Sequence, residues 1–159
     1  MPQLPQSIWK RRLDNEFAQL HSTNQAFEAN ADKTRYIINI NSAAFYQTPN
    51  GLSKRFDNKV QIDLKRDYPY PGGLEVTWLT PIFHPNIRQI DGKVCIRLLN
   101  KWSASQTLVD IVKAIESVLE NPNPGDPLDR EAADYFRQNP NAINASAAPE
   151  FKKPRIIIK

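Results

Sequence analysis

Apolar residues recur at helical spacing near the start of the chain. They fall on one face of a helix that we predict from Ile8 to about His21, with Ser7 as its cap. A stripe of this kind indicates that one side of the helix is buried. Its members are Trp9, Leu13, Phe17 and Leu20.

The middle of the chain follows a different period. Residues 36–40, 59–65 and 74–78 are rich in β-branched and apolar side chains, and the second segment alternates strictly between polar and apolar positions. These segments predict an antiparallel β-meander. The turn signal Pro49-Asn50-Gly51 separates the first two segments. Residues 43–46, just before that turn, fit either a continuation of the first strand or another short strand.

Helical spacing returns in the last third of the chain. A helix is predicted from about Ser105 to Glu120, because its apolar residues share one face. A shorter helix is predicted to begin after a cap at Asp129 and to end at about Gln138, where Asn139-Pro140 stops it.

These elements together predict an α+β fold with an N-terminal helix, an antiparallel meander of three to four strands, and helices after the meander. A chain of 159 residues is long enough for one hydrophobic core and too short for two. We expect residues 1–141 to form a single domain. Residues 142–159 begin with Ala, Asn and Ser, end with basic residues, and are predicted to form a tail.

Composition excludes several classes of protein. No apolar run approaches the ~18 residues of a membrane span, and the first residues lack the features of a signal peptide. We therefore expect a cytoplasmic protein with no membrane partner. The formal net charge is +4, but residues 1–12 carry +3 and residues 150–159 another +3, which leaves −2 for residues 13–149. Nucleic-acid binding needs a basic stripe along a groove, so we expect no nucleic-acid partner.

The chain has a single cysteine, Cys95, and two histidines. One cysteine cannot form an internal disulfide, and the distant histidines give no metal-ligand spacing, so we expect no metal and no other cofactor. Two interpretations of Cys95 remain. It is either a small buried side chain, the usual role of an isolated cysteine, or a reactive thiol.

The residues before Cys95 favour the reactive thiol. Pro85 fixes its own backbone and keeps His84 out of the helical region. The sequence His84-Pro85-Asn86 is therefore predicted to form a stiff, extended turn that delivers the Asn86 amide to a set place. Asp91-Gly92 turns the chain again just before the cysteine.

Two more motifs follow the cysteine. Lys101-Trp102-Ser103 lies just after it, and a proline-rich loop at residues 121–128 comes after the next helix. In their order and spacing, the four motifs resemble the catalytic domain of the ubiquitin-conjugating enzymes. That family has a His-Pro-Asn turn, a downstream active cysteine, a Trp-Ser loop and a proline-rich loop with Asp-Pro-Leu. The resemblance runs from about Asp67 to Phe136.

The resemblance implies the fold of that family and a transferase. Such an enzyme accepts ubiquitin or a ubiquitin-like modifier from an activating enzyme as a thioester on Cys95, and transfers it to a substrate lysine with the help of a ligase. Asn86 would stabilise the oxyanion of the transfer step or brace the neighbouring loop, and these two roles are not exclusive. Asp126 would orient the incoming lysine and favour its neutral, attacking form, unless it is only the turn residue before Pro127. The residues expected to support the site structurally are His84, Pro85 and Leu128.

The same resemblance implies three partner surfaces. Basic residues of the first helix would dock the activating enzyme, and a merely solvated polar face is the alternative. The residues for the activating enzyme are Lys10, Arg11 and Arg12; those for a RING-type ligase are Tyr70, Trp102, Ser103 and Ala104; those for the modifier are Asp110, Lys113 and Ser117.

The chain also departs from the family pattern. It has one more residue than usual between the His-Pro-Asn turn and the cysteine, and one fewer between the cysteine and Trp102. Ala104 stands where RING-binding members usually have proline, and Lys113 where many members have an apolar residue. Pro71-Gly72-Gly73 occurs where the family usually has Pro-Pro. These departures leave the identities of the modifier and the ligase open.

Two other functions remain as alternatives. One is an inactive relative that serves as a binding module, although such variants typically lose the cysteine. The other is a cysteine hydrolase, which needs a histidine base beside Cys95. His84 lies next to a proline and fits a turn anchor better than a mobile base, and His21 lies on the first helix.

Overall fold

The computed structural model describes residues 2–94 and 106–144. None of the helices within these residues is both long enough and apolar enough to cross a bilayer. The helices are α1 (Gln6–His21), α2 (Leu108–Glu120) and α3 (Arg130–Gln138), and a 3-10 turn spans Ala142–Asn144. The strands are β1 (Phe27–Ala29), β2 (Arg35–Ile40), β3 (Ala44–Thr48), β4 (Gly51–Arg55), β5 (Asn58–Leu64) and β6 (Leu74–Trp78).

Four strands form an antiparallel sheet in the order β1-β2-β5-β6. In the central pair, Tyr36 of β2 lies opposite Ile62 of β5, and Ile38 lies opposite Val60. These four side chains are fully buried, whereas the residues between them along each strand are partly exposed. The alternation in the sequence therefore marks one buried face of the sheet.

Helices α1 and α2 complete the main core on that face. Leu13 and Leu20 of α1 and Ile115 of α2 are buried in one cluster with the inward side chains of the sheet. Trp9 and Phe17 pack against this cluster with part of their surface exposed. Each fully buried aliphatic side chain contributes about 1.5–3 kcal/mol to folding. The predicted α+β fold and the predicted stripe of α1 are confirmed.

Strands β3 and β4 leave the sheet and form their own hairpin. Its turn lies at Pro49-Asn50, and Gly51 then begins β4 with a φ of 123°, which favours glycine. Residues 43–46 therefore lead into a separate strand. The hairpin packs on α3 through a second cluster: Phe45, Leu52, Phe83, Ala132, Tyr135, Phe136 and Ile143.

The start of α1 differs from the prediction. The helix begins at Gln6, Pro5 occupies the N-cap position, and no side chain caps it. The prediction that Ser7 is the cap is therefore wrong. The reason is a backbone hydrogen bond: the Trp9 N–H donates to the Pro5 carbonyl at 2.9 Å, so the first turn begins at Gln6, before the expected Ile8.

The other helix starts follow side-chain caps. Helix α2 begins at Leu108 rather than near Ser105, because Thr107 and Asp110 form a reciprocal capping pair. Asp129 caps α3 by accepting a hydrogen bond from the Ala132 N–H at 3.0 Å, as predicted. The three-residue strand β1 was not predicted, since it is too short to show alternation.

The loop between β5 and β6 explains one departure from the family pattern. A Cβ on Gly73 would lie 2.1 Å from the backbone nitrogen of Tyr68, so the close approach of these two backbones requires glycine. The Lys65 N–H donates to the Gly73 carbonyl at 2.8 Å, and the Gly73 N–H donates to the Tyr70 carbonyl at 3.0 Å. The loop that carries Tyr70 is therefore closed on itself.

Candidate active site

His84 anchors the predicted turn between the two clusters. Its side chain is 3% exposed. The Asn86 N–H donates to Nδ1 at 3.0 Å, so the proton of the neutral ring lies on Nε2, which donates to the Val118 carbonyl of α2 at 2.8 Å. Burial lowers the pKa of His84 to about 4, against the smaller opposing effect of the Val118 hydrogen bond. With both ring nitrogens engaged inside the fold, the imidazole fits a structural anchor.

Asn86 joins this turn to the proline-rich loop. Its side chain is 5% exposed. The Nδ2 group donates to the Asn123 carbonyl at 2.8 Å, and Oδ1 accepts from the Asn123 N–H at 2.9 Å. One side-chain amide thus pairs with both backbone groups of a residue 37 positions away. Sequence reasoning did not identify Asn123 as the partner.

The far end of the proline-rich loop is tied to the same turn. The Pro85 carbonyl accepts hydrogen bonds from the Leu128 N–H at 2.7 Å and the Asp129 N–H at 3.2 Å. Asp126 lies between the two attachments and is exposed. The structure therefore brings His84, Pro85, Asn86, the Asp126 loop and Leu128 into one region.

Two further contacts hold the loop around Asp126. The Gly125 N–H donates to Oδ1 of Asn123 at 2.9 Å, which closes a local turn. Arg137 of α3 donates from Nη2 to the Pro124 carbonyl at 2.9 Å. Its Nη1 also pairs with Asp134 at 2.9 Å. Arg137 is a second supporting residue that the sequence alone did not indicate.

Cys95 lies outside the described residues, and so does its predicted environment at Trp102, Ser103 and Ala104. The chain that leads to it is described up to Val94. Val94 forms an antiparallel bridge with Ile87. The residue before Cys95 is thus paired with the residue after Asn86.

The loop between Ile87 and Val94 is stiffened by an ion pair. Arg88 donates to Asp91 from Nε at 3.0 Å and from Nη2 at 2.7 Å. These bonds and the bond from the Lys93 N–H lower the pKa of Asp91 to about 2. Gly92 has a φ of 73°, and a Cβ there would lie 2.2 Å from the Trp78 carbonyl oxygen. The turn predicted at Asp91-Gly92 is therefore present and packs closely on the end of β6.

The three basic residues of α1 do not share one environment. Lys10 and Arg11 are exposed, whereas Arg12 is half-buried. Arg12 donates from Nε to the carboxylate of Glu16 at 3.0 Å and from Nη2 to the Gln106 carbonyl at 2.6 Å. Arg12 is thus engaged inside the fold, and only Lys10 and Arg11 remain as freely presented members of the predicted docking set.

Glu16 is the centre of this buried network. Its side chain is 1% exposed and accepts hydrogen bonds from Arg12, from the Tyr68 hydroxyl, and from the Leu108 N–H at 2.9 Å. Burial, and then the charge and hydrogen bond of Glu16, raise the pKa of Tyr68. The network joins α1 to the β5–β6 loop and to the start of α2. A signal existed in the sequence, because Glu16 falls between Leu13 and Leu20 within the apolar stripe.

The residues predicted to contact a ligase or the modifier lie away from the basic residues of α1, on two further surfaces. Tyr70 is half-buried in the β5–β6 loop, where its N–H donates to the Asp67 carbonyl at 2.8 Å. Asp110, Lys113 and Ser117 are exposed on α2. The Asp110 carboxylate accepts from the Thr107 N–H at 2.9 Å, so it also caps the helix. The partner roles of these residues stay predictions.

Neither histidine of the chain is free to serve the site as a general base. Both ring nitrogens of His84 form hydrogen bonds inside the fold, and His21 stacks on Phe17 at the end of α1. Within residues 2–94 and 106–144, no three His, Cys, Asp or Glu side chains are grouped as metal ligands. What the arrangement offers is a fixed amide, an exposed carboxylate on a braced loop, and a rigid lead to a single thiol.

Comparison with known proteins gives concordant results. A family model described as ubiquitin-conjugating enzyme matches residues 12–150. The chain is 39% identical over 95 residues to ubiquitin conjugating enzyme E2 B of Dictyostelium discoideum, a stretch that covers 59% of this chain and 63% of the relative. It is 29% identical over 136 residues to a probable ubiquitin-conjugating enzyme of Acanthamoeba polyphaga mimivirus, covering 81% of this chain and 83% of the relative.

A solved structure shows the same architecture. The ubiquitin conjugating enzyme domain of a Toxoplasma gondii protein is similar with a TM-score of 0.66 and 27% sequence identity, over 84% of this chain and 89% of that chain. The chain spans just under two thirds of the Dictyostelium relative, at 63% of its length.

Proposed function

This chain belongs to the ubiquitin-conjugating enzyme family, and from that premise we propose that Cys95 accepts ubiquitin or a ubiquitin-like modifier as a thioester and passes it to a substrate lysine. The modifier would come from an activating enzyme, and a RING-type ligase would assist its transfer. A cytoplasmic location belongs to the same proposal.

One observation carries the proposal. Two loops far apart in sequence are joined at two points, Asn86 to Asn123 and Pro85 to Leu128. This double attachment holds the Asp126 loop beside the turn from which the chain proceeds to Cys95. A binding module would have no need for an exposed carboxylate on a loop attached in this way to the turn that precedes the single cysteine of the sequence.

The first step is thioester exchange. The Cys95 thiolate attacks the thioester carbonyl carbon, a new C–S bond forms, and the thiolate of the activating enzyme leaves. The acyl group arrives activated, and one thioester replaces another at little net change in free energy. No histidine base is required beside the cysteine, which agrees with the commitment of both His84 nitrogens.

The second step is aminolysis. A neutral lysine amine attacks the carbonyl carbon, the C–N bond forms, the C–S bond breaks, and Cys95 leaves as thiolate. Asn86 uses one amide hydrogen on the Asn123 carbonyl, and we assign its second hydrogen to the developing oxyanion. Asp126 orients the amine and takes part in removing its proton.

We assign the partner surfaces to predicted residues whose side chains are available at the surface. Lys10 and Arg11 would dock the activating enzyme, since Arg12 is engaged with Glu16 and Gln106. The loop of Tyr70 would meet a ligase together with Trp102, Ser103 and Ala104. The exposed side of α2 at Asp110, Lys113 and Ser117 would contact the modifier.

The test is a charging assay. The full chain is incubated with activating enzyme, ATP and ubiquitin, or with a ubiquitin-like modifier and its own activating enzyme, and is resolved on a gel without reductant. We expect a band that reductant removes. Cys95→Ser should give a reductant-resistant oxyester, because the hydroxyl accepts the acyl group but leaves poorly. If neither protein is charged by any of these systems, the conjugating role is wrong and the binding-module alternative is favoured.

A further inference from the structure

Arg137 reaches from α3 to the loop that carries Asp126. Its Nη2 donates to the Pro124 carbonyl at 2.9 Å, two residues before Asp126 in the chain. Resting on the function proposed above, we propose that Arg137 is a positioning residue for the transfer to lysine. It fixes the part of the loop that places the Asp126 carboxylate, and it acts through that carboxylate and not on the reacting groups directly.

The proline-rich loop is attached to the neighbouring turn near both of its ends. The Asn86 side chain holds it at Asn123, and the Pro85 carbonyl holds it at Leu128. The segment between these points contains Gly125, the residue type with the greatest backbone freedom. The Gly125 N–H donates to the Asn123 side chain at 2.9 Å, but both residues belong to the loop itself. A contact from outside the loop therefore limits motion that the two end attachments leave open.

Arg137 supplies this contact from a fixed helix. The two residues before it, Tyr135 and Phe136, pack in the second hydrophobic cluster and hold the backbone of α3 at this point. The guanidinium is also oriented from its other side, because Nη1 pairs with Asp134 at 2.9 Å. The planar fork of arginine suits two such bonds at once. The Pro124 carbonyl is therefore held by a donor whose own position is set.

A role in helix stability is the alternative for Arg137. It lies in the last turn of α3, where the helix dipole favours a cation. The side chains of Arg137 and Asp134 are 55% and 69% exposed, however, and ion pairs as exposed as this one contribute little to stability. Displacement of a reacting group by about 1 Å can slow a reaction by as much as about 100-fold. The positioning role therefore predicts a slower transfer with little change in stability.

The test compares formation and discharge of the thioester. The full chain is charged with activating enzyme, ATP and modifier, ATP is removed, and discharge to free lysine at pH 7 is followed over a single turnover. We expect Arg137→Ala to charge at the rate of the parent and to discharge about 10-fold more slowly. Arg137→Lys should retain part of the lost rate, because its ammonium still donates but lacks the planar fork. Arg130→Ala, the same change at another exposed arginine of α3, should have no effect.

Three readouts show whether Arg137 acts through Asp126. In the Asp126→Ala background, Arg137→Ala should cause no further slowing, since the carboxylate that it positions is gone. Raising the pH should restore much of the rate of Arg137→Ala, because the free lysine then loses its proton without help. Discharge to hydroxylamine, an amine that is mostly neutral at pH 7, should proceed at the rate of the parent.

The order of the loop can be measured without the modifier. NMR relaxation of the uncharged chain gives order parameters for the backbone amides of Gly125 and Asp126. We expect values near the about 0.85 of rigid backbone in the parent and in Arg130→Ala. In Arg137→Ala they should fall towards the flexible range below about 0.6. The urea midpoint should be nearly the same for all three proteins.

Discharge of Arg137→Ala to lysine at the rate of the parent would overturn the positioning role. Equal rates for the Ala and Lys variants, or a slowing that adds in full to that of Asp126→Ala, would also overturn it. Unchanged order parameters in the loop would exclude the contact as a clamp, and a large loss in the urea midpoint would assign Arg137 to helix stability instead. A parent that cannot be charged refutes the proposed function, whereas a charged parent with a normal Arg137→Ala variant refutes the positioning role alone.

Discussion

The side chain of Asn86 and the backbone of Asn123 form two reciprocal hydrogen bonds, at 2.8 Å and 2.9 Å. The pair connects the turn before Cys95 to the loop that carries Asp126. It gives Asn86 a bracing role that does not depend on any reaction. The oxyanion role proposed for the same amide can then be tested only together with a measurement of stability.

We expect Asn86→Ala to lower the free energy of unfolding by about 1–3 kcal/mol, because two backbone groups of Asn123 lose their partners in a partly buried contact. Discharge of the thioester to free lysine should slow as well. Asn123→Ala is the comparison variant, since it keeps the backbone groups that Asn86 contacts and loses only the hydrogen bond that Oδ1 accepts from the Gly125 N–H. Urea unfolding measures the first effect and a single-turnover discharge assay the second. A variant that is as stable as the parent would remove the bracing role and leave only the oxyanion role.

Substitution of Asp126 should slow discharge of the thioester but not its formation. Asp126→Ala should charge normally, because thiol exchange involves no amine. Its discharge to lysine at pH 7 should be slower by about 10²- to 10⁴-fold, the usual contribution of a general base. Raising the pH should recover much of the rate by deprotonating the lysine directly. The exposed Asp57, on the turn between β4 and β5, gives the control Asp57→Ala. Equal discharge by mutant and parent at pH 7 would make Asp126 only a turn residue.

The basic residues of α1 should act on charging alone. Reversing the two exposed charges, Lys10→Glu with Arg11→Glu, should slow loading by about 10-fold or more and change its salt dependence. Arg12 is left unchanged, because a glutamate there would face the buried Glu16. Lys59→Glu with Arg130→Glu, at two exposed residues outside the predicted partner surfaces, controls for the same change in net charge. Initial rates of thioester formation at low and high salt give the answer, and an unaltered rate would favour a solvated polar face.

Removal of the Glu16 carboxylate should destabilise the protein far more than removal of an exposed acid on the same helix. Glu16→Ala leaves Arg12, Tyr68 and the Leu108 N–H without their shared acceptor, and should cost about 3 kcal/mol or more. Asp14→Ala breaks only the surface pair with Lys33 and should cost less than about 1 kcal/mol. Denaturant midpoints compare the two, and similar losses would contradict the assignment of Glu16 as a buried anchor.

His84 should make the protein less stable in mild acid. The folded state keeps the imidazole neutral down to a pKa of about 4, whereas the unfolded chain protonates near 6.5. The unfolded state therefore binds more protons between these values, and the free energy of unfolding falls by roughly 3 kcal/mol as the pH drops from about 6.5 to 4. Urea unfolding across this range tests the slope. NMR titration of the ring is the independent check, and protonation of folded His84 near pH 6.5 would refute the prediction.

The sequence predicted those parts of the site that depend on local backbone chemistry. Pro85 restricts its neighbours, and Asp129 caps its own helix, so both could be interpreted without tertiary contacts. The strands β2, β5 and β6 were predicted because burial on one face imposes alternation on the sequence. Strand β1 has only three residues and is defined by its pairing with β2, which no local pattern shows.

Contacts between distant segments of the chain could not be predicted from the sequence. The resemblance groups Arg12 with Lys10 and Arg11 on the first helix, but the environment of Arg12 is set by Glu16 and by Gln106, 94 residues away. Asn123 contributes to the site through its backbone, which has no signature in residue type. Such placements arise from packing of the whole chain and not from any single element.

The separate hydrophobic cluster of the β3–β4 hairpin and α3 affects the order in which activity and secondary structure are lost. Phe83 belongs to that cluster, and the turn at His84 follows it directly. Residues 44–55 and 130–143 must meet across a long stretch of chain, so this part should assemble late and open early. A protein with its sheet and its first two helices intact could then lack a formed site. Under heat or denaturant, inactivation should precede the loss of most secondary structure, and folded protein measured by circular dichroism would overstate the active fraction.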